Sequence, residues 1–344
     1  MHSKALKFHL ETLESPLPIG DTLLINAEPA NYLDHLKDHD LSVITQLAHT
    51  AKLWVNKGIT TQHVVTEEQA EQKFDLIIHY ATKFATENIA TIGKLIQHLK
   101  PTGTWISIIP NRTGASRLKR DITKAFTQVE TSSKAKCRIF QCSAEHDQKL
   151  TSKWHKLNKP SLIKGTELVT VPGVFSADKL DTGSIMLTEI LQKESWYGSV
   201  ADLGAAYGYL SHSILNTPRQ KMNNLCLYEL DKRALECAES NLAGSLKDSK
   251  TKVEYHWTDV TDVVPHQRKF DTVIMNPPFH EAQDASFTLG KTFIKQASNI
   301  LKQGGTMYLV ANLHLPYEQT LIEHFRSHRL LIEDKGFKIF LARK

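Results

Sequence analysis

The chain has 344 residues, with 42 Lys and Arg, 37 Asp and Glu, and a hydrophobic content of 41%. These values are typical of a folded globular protein about twice the length of a usual domain, so we expect two domains. No segment approaches the ~18 apolar residues of a membrane span, and the four cysteines lack the paired spacing of a zinc site. We therefore expect a cytoplasmic protein with reduced thiols, no bound metal and no membrane partner.

The N-terminal half predicts short apolar strands without a glycine-rich turn. The first strand candidate, Thr22 to Asn26, runs into Ala27-Glu28-Pro29-Ala30. A second strand is predicted at residues 74–78, and a third follows Gly103. The turn after the first strand therefore lacks the glycines that let a ligand lie against the backbone.

Basic residues are concentrated in this half. Residues 1–164 hold 22 basic and 16 acidic side chains, whereas residues 165–344 hold 20 and 21. Within residues 112–164 the count is 13 basic against 4 acidic. Such a segment suits a polyanion, although basic side chains also occur as ordinary solvated surface. The candidate nucleic-acid contacts are Arg112, Arg117, Lys119 and Arg120.

The C-terminal half alternates short apolar strands with amphipathic helices, which predicts a mostly parallel sheet covered on both faces. Helical spacing of apolar residues is seen at 231–242 and 289–301. The Lys335-Gly336 pair between two apolar runs predicts a closing hairpin. The strand candidates are residues 198–203, 224–228, 252–256, 271–275 and 306–311.

The two halves share a weak internal repeat. Phe74-Asp75-Leu76-Ile77-Ile78 matches Phe270-Asp271-Thr272-Val273-Ile274, and the segment ending at Gly103 matches the one ending at Gly305. We infer a duplicated α/β fold in which the N-terminal copy has lost cofactor binding and chemistry. The predicted divisions are a degenerate domain at 1–145, a basic linker at 146–170 and a catalytic domain at 171–344.

A strand, tight turn and helix are predicted from Val200 to Tyr209, with Asp202, Gly204, Ala206 and Gly208 as candidate cofactor contacts. Ala206 stands where a second glycine is common, which puts cofactor affinity in question. Glu229 ends the next strand and is placed to accept hydrogen bonds from both hydroxyls of a ribose. Asp259 ends the third strand and is placed to accept from an adenine amino group.

The tetrapeptide Asn276-Pro277-Pro278-Phe279 follows a strand, at the edge of a parallel sheet where ligands bind. An aromatic amine is a poor nucleophile, so its site must accept the N–H hydrogens and aim the nitrogen. Asn276 Oδ1 and the Pro277 carbonyl can accept them, and the two prolines keep the loop rigid. Phe279 offers a face on which a base can stack. This motif argues against NAD and for transfer of a methyl group to an amine.

These motifs resemble class I S-adenosylmethionine-dependent methyltransferases, and more closely the bacterial small-subunit ribosomal RNA guanine-N2 methyltransferases. The resemblance also includes Pro172-Gly173-Val174-Phe175-Ser176, Leu180-Asp181-x-Gly183-Ser184 and Val310-Ala311-Asn312. It implies two tandem Rossmann-like domains with mostly parallel seven-stranded sheets, the N-terminal one degenerate. It also implies S-adenosylmethionine as cofactor and Asn276 as a residue that contacts both cofactor and substrate.

The same resemblance implies a guanine of 16S ribosomal RNA as the target, with the assembled small subunit as substrate for a monomeric enzyme. Adenine-N6 DNA methyltransferases and protein-glutamine methyltransferases carry the same type of tetrapeptide and stay as alternatives. A further alternative is a non-catalytic RNA-binding assembly factor in which both copies are inactive.

Overall fold

The computed structural model describes residues 1–13, 17–63, 71–247, 249–262, 269–278 and 283–344, with side chains from residue 287 onward in the last range. The chain divides into two compact units, Met1–Pro160 and Ser161–Lys344. No helix among the described residues is long and apolar enough to cross a membrane.

The first unit alternates strands and helices along the chain. In the part of this unit that the structure describes, two 3₁₀ segments, Asn31–His35 and Ile96–His98, add short turns. Its elements are α1 (His2–Glu11), β1 (Asp21–Ile25), β2 (Asp40–Ile44), α2 (Ala48–Val55), β3 (Thr61–Gln62), β4 (Phe74–Tyr80), α3 (Ala85–Leu95), β5 (Leu99–Pro110), α4 (Ala115–Ala125), β6 (Val129–Lys134), β7 (Cys137–Ser143) and α5 (Gln148–Lys156).

The second unit follows the same alternation after a small antiparallel pair, β8 (Ser161–Leu162) and β9 (Val169–Thr170). Its other elements are α6 (Thr182–Leu191), β10 (Trp196–Leu203), α7 (Tyr209–Leu215), β11 (Gln220–Glu229), α8 (Lys232–Leu246), β12 (Lys252–Trp257), β13 (Phe270–Met275), α9 (Gln283–Ile300), β14 (Leu301–Asn312), α10 (Glu318–His324), β15 (Ser327–Asp334) and β16 (Phe337–Arg343).

Both units have the same sheet topology. Among the described residues each main sheet has seven strands, in the orders β3-β2-β1-β4-β5-β7-β6 and β12-β11-β10-β13-β14-β16-β15. The first five strands of each order are parallel to one another. The sixth strand, β7 or β16, runs antiparallel to both of its neighbours. The predicted fold of two tandem domains is therefore confirmed. The direction of the strand order reverses between β10 and β13, and such a switch point is where open parallel sheets bind ligands.

Apolar residues fill both faces of each sheet. In the second unit one core includes Val273, Met307 and Phe340, and the core on the other face includes Leu187 and Leu225. The first unit likewise has two cores on its own sheet. Central parallel strands such as β1 and β4 are buried over most of their length, because both faces of the sheet are covered, which explains their nearly continuous apolar sequences.

The predicted hairpin near the C-terminus is present between β15 and β16. Lys335 and Gly336 take positive φ angles of 48° and 82°, as the turn of a tight hairpin requires. This hairpin places β16 beside β14, so the antiparallel edge of the sheet is set by a local turn.

The segment predicted as a linker, 146–170, differs from that expectation. Residues 148–156 form α5, and Trp154, only 7% exposed, packs into a core of the first unit. Gly93 on α3 lets α5 approach closely, because an added Cβ there would lie 2.4 Å from the His155 nitrogen. The many lysines of this segment suggested a solvated connection, but one apolar face is enough to dock the helix on the first unit.

Each unit uses a glycine to make room for an aspartate on its fourth strand. Asp75 Oδ2 accepts from the Asp21 nitrogen at 2.9 Å, and Asp271 Oδ2 accepts from the Ser199 nitrogen at 2.8 Å. A Cβ on Gly20 or Gly198 would lie 2.2 or 2.1 Å from the respective carboxylate oxygen. The repeated arrangement extends the duplication from topology to individual side chains.

We expect Gly198→Ala to lower the free energy of unfolding by about 2–4 kcal/mol, because the new Cβ collides with Asp271 and Gly198 has φ +65°. Gly304→Ala is the matched control, since Gly304 has φ +79° and nothing lies within 4 Å of its added Cβ. That control is expected to lose only about 1–2 kcal/mol. Urea unfolding of both variants measures the difference. Equal losses of unfolding free energy would show that the collision with Asp271 does not contribute.

Candidate active site

A left-handed turn follows β10 at the switch point of the second sheet. Gly204, Ala206 and Gly208 have φ angles of 72°, 47° and 81°. The backbone nitrogens of Gly204 and Ala205 donate to the Tyr228 carbonyl at 2.8 and 3.1 Å. This turn reverses the chain between β10 and α7 and exposes backbone to the adjoining cavity.

Positions 208 and 206 of this turn differ in whether they have room for a side chain. A Cβ on Gly208 would lie 3.0 Å from Ala238 Cβ, so glycine there lets the turn pack closely on α8. Ala206 adopts the left-handed conformation in spite of its methyl group, at an intrinsic cost of about 1–2 kcal/mol. The departure from a glycine pattern therefore leaves the shape of the turn intact.

Glu229 is half-buried at the carboxyl end of β11 and supports the turn directly. Its Oε2 accepts from the Ala206 nitrogen at 2.7 Å, and its Oε1 accepts from the Asp231 nitrogen at 2.9 Å. Burial raises the pKa of Glu229 to about 7, and the two backbone N–H donors oppose that rise. Each carboxylate oxygen can accept a further hydrogen bond, which is compatible with the predicted contact to a ribose.

The two aspartates near this edge have different contacts. Asp231 caps α8 through the Arg233 nitrogen and pairs with the Arg233 guanidinium at 2.6 Å, which agrees with a structural role. Asp259 is half-buried beyond β12, and its Oδ1 accepts from the nitrogen and hydroxyl of Thr261. Those bonds orient the Asp259 carboxylate, and its contact with an adenine amino group stays a prediction.

Asp202 lies below the turn, fully buried within β10. Its Oδ2 accepts from the Ser211 hydroxyl at 2.7 Å, which ties β10 to α7. Burial raises the pKa of Asp202 to about 7, and the bond from Ser211 opposes that rise. Asp202 does not line the cavity described below, so we propose that it supports the turn rather than touching the cofactor.

Asn276 directly follows β13 and faces the turn. Its Nδ2 donates to Asp181 Oδ2 at 2.9 Å and to Ser184 Oγ at 2.7 Å. Its Oδ1 is buried, and no hydrogen-bond donor among the described residues reaches it. An unpaired buried acceptor is costly, so this oxygen is a strong candidate for contact with a ligand.

The prolines that follow Asn276 have unequal exposure, since Pro277 is buried and Pro278 is exposed. Phe279, the predicted stacking residue, lies outside the described residues. The predicted carbonyl contact of Pro277 with a substrate amine stays a prediction.

A small cavity joins the turn to Asn276. It brings together Gly204, Ala206 and Asn276 from the predicted set. Six further residues that were not assigned to the site from the sequence also line it: Phe175, Ser184, Ala205, Tyr207, Tyr209 and Leu210. Phe175 and Ser184 lie in the segments around Pro172 and Asp181 that carry the resemblance, and the other four lie in or just after the turn.

The corresponding place in the first unit is filled by aromatic rings. Tyr80 ends β4 as Asn276 follows β13, and it stacks on His2 with ring centroids 4.9 Å apart. Tyr32, which is fully buried, lies beside Tyr80, and Trp54 Nε1 donates to the Ala27 carbonyl at 2.6 Å. The first unit therefore has packed aromatic rings, and no glycine turn, at the place that matches Asn276, and its loss of cofactor binding stays a prediction.

The basic candidates of the first unit lie at and just before α4. Arg112, Arg117, Lys119 and Arg120 are all exposed. Arg117 Nε pairs with Asp121 at 2.9 Å, which reduces its net charge contribution. Among the described residues no carboxylate pairs with the other three, so they present positive charge to solvent.

None of the four cysteines is in a disulfide bond, and all four are buried. Cys226, Glu254 and His256 bring possible ligand atoms within 4.8 Å of one another. Glu254 pairs with Lys252 at 3.1 Å and with His256 at 3.4 Å. Cys226 Sγ also donates to Glu254 Oε2 at 3.8 Å, so the cluster links β11 to the edge strand β12.

A sheet of this topology, with a glycine turn after its first strand, an acidic residue after its second and Asn-Pro-Pro after its fourth, defines a class I S-adenosylmethionine-dependent methyltransferase. The family model described as methyltransferase small domain matches residues 165–341, and its N-terminal counterpart matches residues 3–158. Ribosomal RNA small subunit methyltransferase C of Serratia proteamaculans is 30% identical over 88% of this chain and 85% of its own length. The chain belongs to this family of ribosomal RNA small subunit methyltransferase C proteins.

Other relatives agree with this assignment. The protein of the same name from Photorhabdus laumondii is 28% identical over 95% of this chain and 91% of its own length. A 16S rRNA N2 methyltransferase of T. thermophilus, solved in complex with AdoMet and guanosine, superposes with a TM-score of 0.80. That match covers 100% of this chain and 91% of the other at 21% identity, and it supports the duplicated fold.

Proposed function

We propose that this enzyme transfers a methyl group from S-adenosylmethionine to the exocyclic N2 amine of a guanine in 16S ribosomal RNA, within the small subunit. The observation that carries the proposal is the buried Oδ1 of Asn276 beside the glycine turn, which no donor among the described residues reaches. The relatives named above supply the RNA class, and the T. thermophilus neighbour was solved with guanosine. We further propose that the enzyme acts as a cytoplasmic monomer.

The residues of the site suit the cofactor. Glu229 would accept hydrogen bonds from the ribose hydroxyls of the cofactor, and Asp259 would accept one from its adenine amino group. The turn at Gly204 and Ala206 would contact the part of the cofactor that lies closest to the protein backbone. When bound, S-adenosylmethionine supplies an electrophilic methyl group on a sulfonium centre.

Asn276 then acts on the guanine amine. Its Oδ1 accepts one N–H of the amine, and the Pro277 carbonyl is placed to accept the other. Holding the nitrogen in line with the methyl group lowers the barrier by orientation rather than by a strong base. The amine becomes acidic only after it has gained the methyl group and a positive charge, so its proton can leave to water without a catalytic histidine.

The base must leave its stack to reach this cavity, as in other enzymes that modify a base. Phe279 is proposed to stack on the extruded guanine. The basic residues at α4 are proposed to bind neighbouring phosphates in the RNA backbone.

Replacing Arg112, Arg117, Lys119 and Arg120 together with alanine is expected to weaken small-subunit binding and flatten its salt dependence. The slope should fall by about 0.7–0.9 for each phosphate that is no longer neutralised, and Arg117→Ala alone should have the least effect because Asp121 already pairs with that side chain. Binding is measured by filter retention between low and moderate salt. A control with the same loss of charge replaces Lys37, Lys57, Lys247 and Lys250. An identical change of slope in that control would show that the four candidates do not form a specific RNA contact.

The proposed reaction is tested by supplying labelled S-adenosylmethionine with undermodified small subunits, naked 16S ribosomal RNA, duplex DNA and a protein release factor. Label is expected on a guanine N2 in the small subunit, located by digestion and mass spectrometry. Label on adenine of DNA or on a protein glutamine would support the alternative transferases. No label anywhere, with tight RNA binding, would support a non-catalytic assembly factor.

A further inference from the structure

Asp181 and Ser184, at the start of α6, form the immediate surroundings of the Asn276 amide. Both accept from its Nδ2, at 2.9 Å and 2.7 Å. Neither residue has a part in the reaction proposed above. Their separation from Asn276 along the chain is 95 and 92 positions, so the contact exists only in the folded unit.

The carboxylate decides which way the amide points. An ionised Asp is an acceptor only, whereas an Asn amide has an oxygen that accepts and a nitrogen that donates. The nitrogen of Asn276 must therefore face Asp181, and Oδ1 is directed to the opposite side. A flipped amide would place its oxygen against the Asp181 carboxylate on one side and present N–H groups to the substrate amine on the other, whereas the Ser184 hydroxyl can either donate or accept.

The position of Asp181 is itself determined by α6. Its Oδ2 accepts from the Ser184 nitrogen at 2.8 Å, as the N-cap of the helix. Gly183 leaves space for this turn, because a Cβ there would lie 2.9 Å from the Phe337 ring and 3.2 Å from Asp181 Oδ2. One carboxylate oxygen thus caps the helix and orients the amide at the same time.

We propose that Asp181 and Ser184 are positioning residues that hold Asn276 with its Oδ1 toward the substrate amine. The proposal rests on the proposed function in taking that oxygen as the acceptor of the amine N–H. It assigns the Asp181-x-Gly183-Ser184 segment a role in substrate alignment. The aspartate caps α6 and orients the Asn276 amide, the glycine leaves space for the turn, and the serine accepts a hydrogen bond from Asn276 Nδ2. The effect is expected on the rate of transfer rather than on cofactor affinity.

Asp181→Ser is the main test, since serine is as good an N-cap as aspartate but its shorter side chain does not reach Asn276. Loss of this charge-assisted hydrogen bond is expected to lower kcat about tenfold, with KM for the small subunit and Kd for S-adenosylmethionine within about threefold. Ser184→Ala is expected to act in the same direction. Asp181→Asn can place a neutral oxygen at the same point, so it is expected to restore most of kcat.

Asp147→Ser is the matched control for capping. Asp147 caps α5 through the Leu150 nitrogen at 2.9 Å and is remote in sequence from the catalytic loop. It is expected to leave kcat unchanged and to alter stability no more than Asp181→Ser does. If Asp181→Ser keeps the wild-type kcat, or loses affinity for the cofactor in proportion to its rate, the positioning role is overturned.

A measurement that needs no substrate separates this proposal from the proposed function. In protein labelled with ¹⁵N-asparagine, the Asn276 side-chain NH₂ is identified by its loss in Asn276→Ala. Its hydrogen exchange is expected to be slow in wild type and Asp181→Asn, and fast in Asp181→Ser. Equal exchange in all three overturns the orientation by Asp181, whether or not any RNA is methylated. Slow exchange together with no methylation of small subunits would uphold the orientation and reject the proposed function.

Discussion

Asn276→Ala is expected to slow methyl transfer by about 10²–10³-fold while Kd for S-adenosylmethionine changes by only a few fold. The variant removes a preoriented, buried acceptor, and losses of this size follow removal of one aligned polar group from an active site. The oxygen has no partner among the described residues in the free enzyme, so its hydrogen-bonding capacity is available to a ligand. Single-turnover transfer to small subunits and calorimetry with the cofactor measure the two quantities separately.

Asn216→Ala is the matched control for this substitution. Asn216 is exposed at the end of α7 and donates to the His212 carbonyl at 2.8 Å. Its replacement is expected to preserve both rate and affinity. Equal losses of rate and cofactor affinity in Asn276→Ala would instead assign Asn276 to cofactor binding, and an unchanged rate would remove it from the mechanism.

Glu229→Gln is expected to weaken cofactor binding by about 10- to 100-fold, as loss of a hydrogen bond to a charged group predicts. The Ala206 nitrogen donates to Glu229 Oε2 at 2.7 Å, so the change also loosens the turn. Glu239→Gln is the control on the exposed face of α8. Calorimetry of both variants measures the effect, and an affinity unchanged in Glu229→Gln would contradict the ribose contact.

The raised pKa of Glu229 adds a pH dependence whose sign can be stated. Because burial raises this pKa to about 7, ionisation of Glu229 costs stability as pH rises through about 7. The nearby negative charge of Asp231 acts in the same direction. Ribose hydroxyls donate to the ionised form, so binding is expected to release a proton and to strengthen as pH rises from about 6 to 8. Calorimetry in buffers of different ionisation enthalpy should show this release in wild type and none in Glu229→Gln.

Much of the fold could be predicted because its signals are local. The repeat of Phe-Asp with a later glycine predicted the duplication, since each copy needs the same strand and turn. The Lys335-Gly336 pair predicted the hairpin, because only a few residues adopt positive φ readily. Local signals were less informative for α5. Its many lysines indicated a linker, although one face of the helix is apolar and includes Trp154.

The candidate site could be predicted in part. Gly204, Ala206 and Asn276 were placed together by the rule that ligands bind at the carboxyl ends of parallel strands, and they do line one cavity. Asp202 was grouped with them, but it does not line that cavity and its Oδ2 accepts from the Ser211 hydroxyl, so its contact with the cofactor stays a prediction. Phe175 was quoted only as part of the resemblance, and neither it nor Tyr207 was assigned to the site, because an aromatic side chain is as common in a core as in a ligand site.

The sequence by itself determined the class of chemistry, which is methylation of an amine. The two motifs that indicate it, the glycine turn and Asn-Pro-Pro, are each a run of neighbouring residues and can be recognised without the fold. Only the tertiary structure decided which way the Asn276 amide points and which side chains pack at the matching place in the first copy. Amide orientation depends on a carboxylate 95 positions away, and the packing in the first copy includes the stacking of Tyr80 on His2. Such contacts arise from packing between distant segments, and residue type and spacing along the chain do not encode them locally.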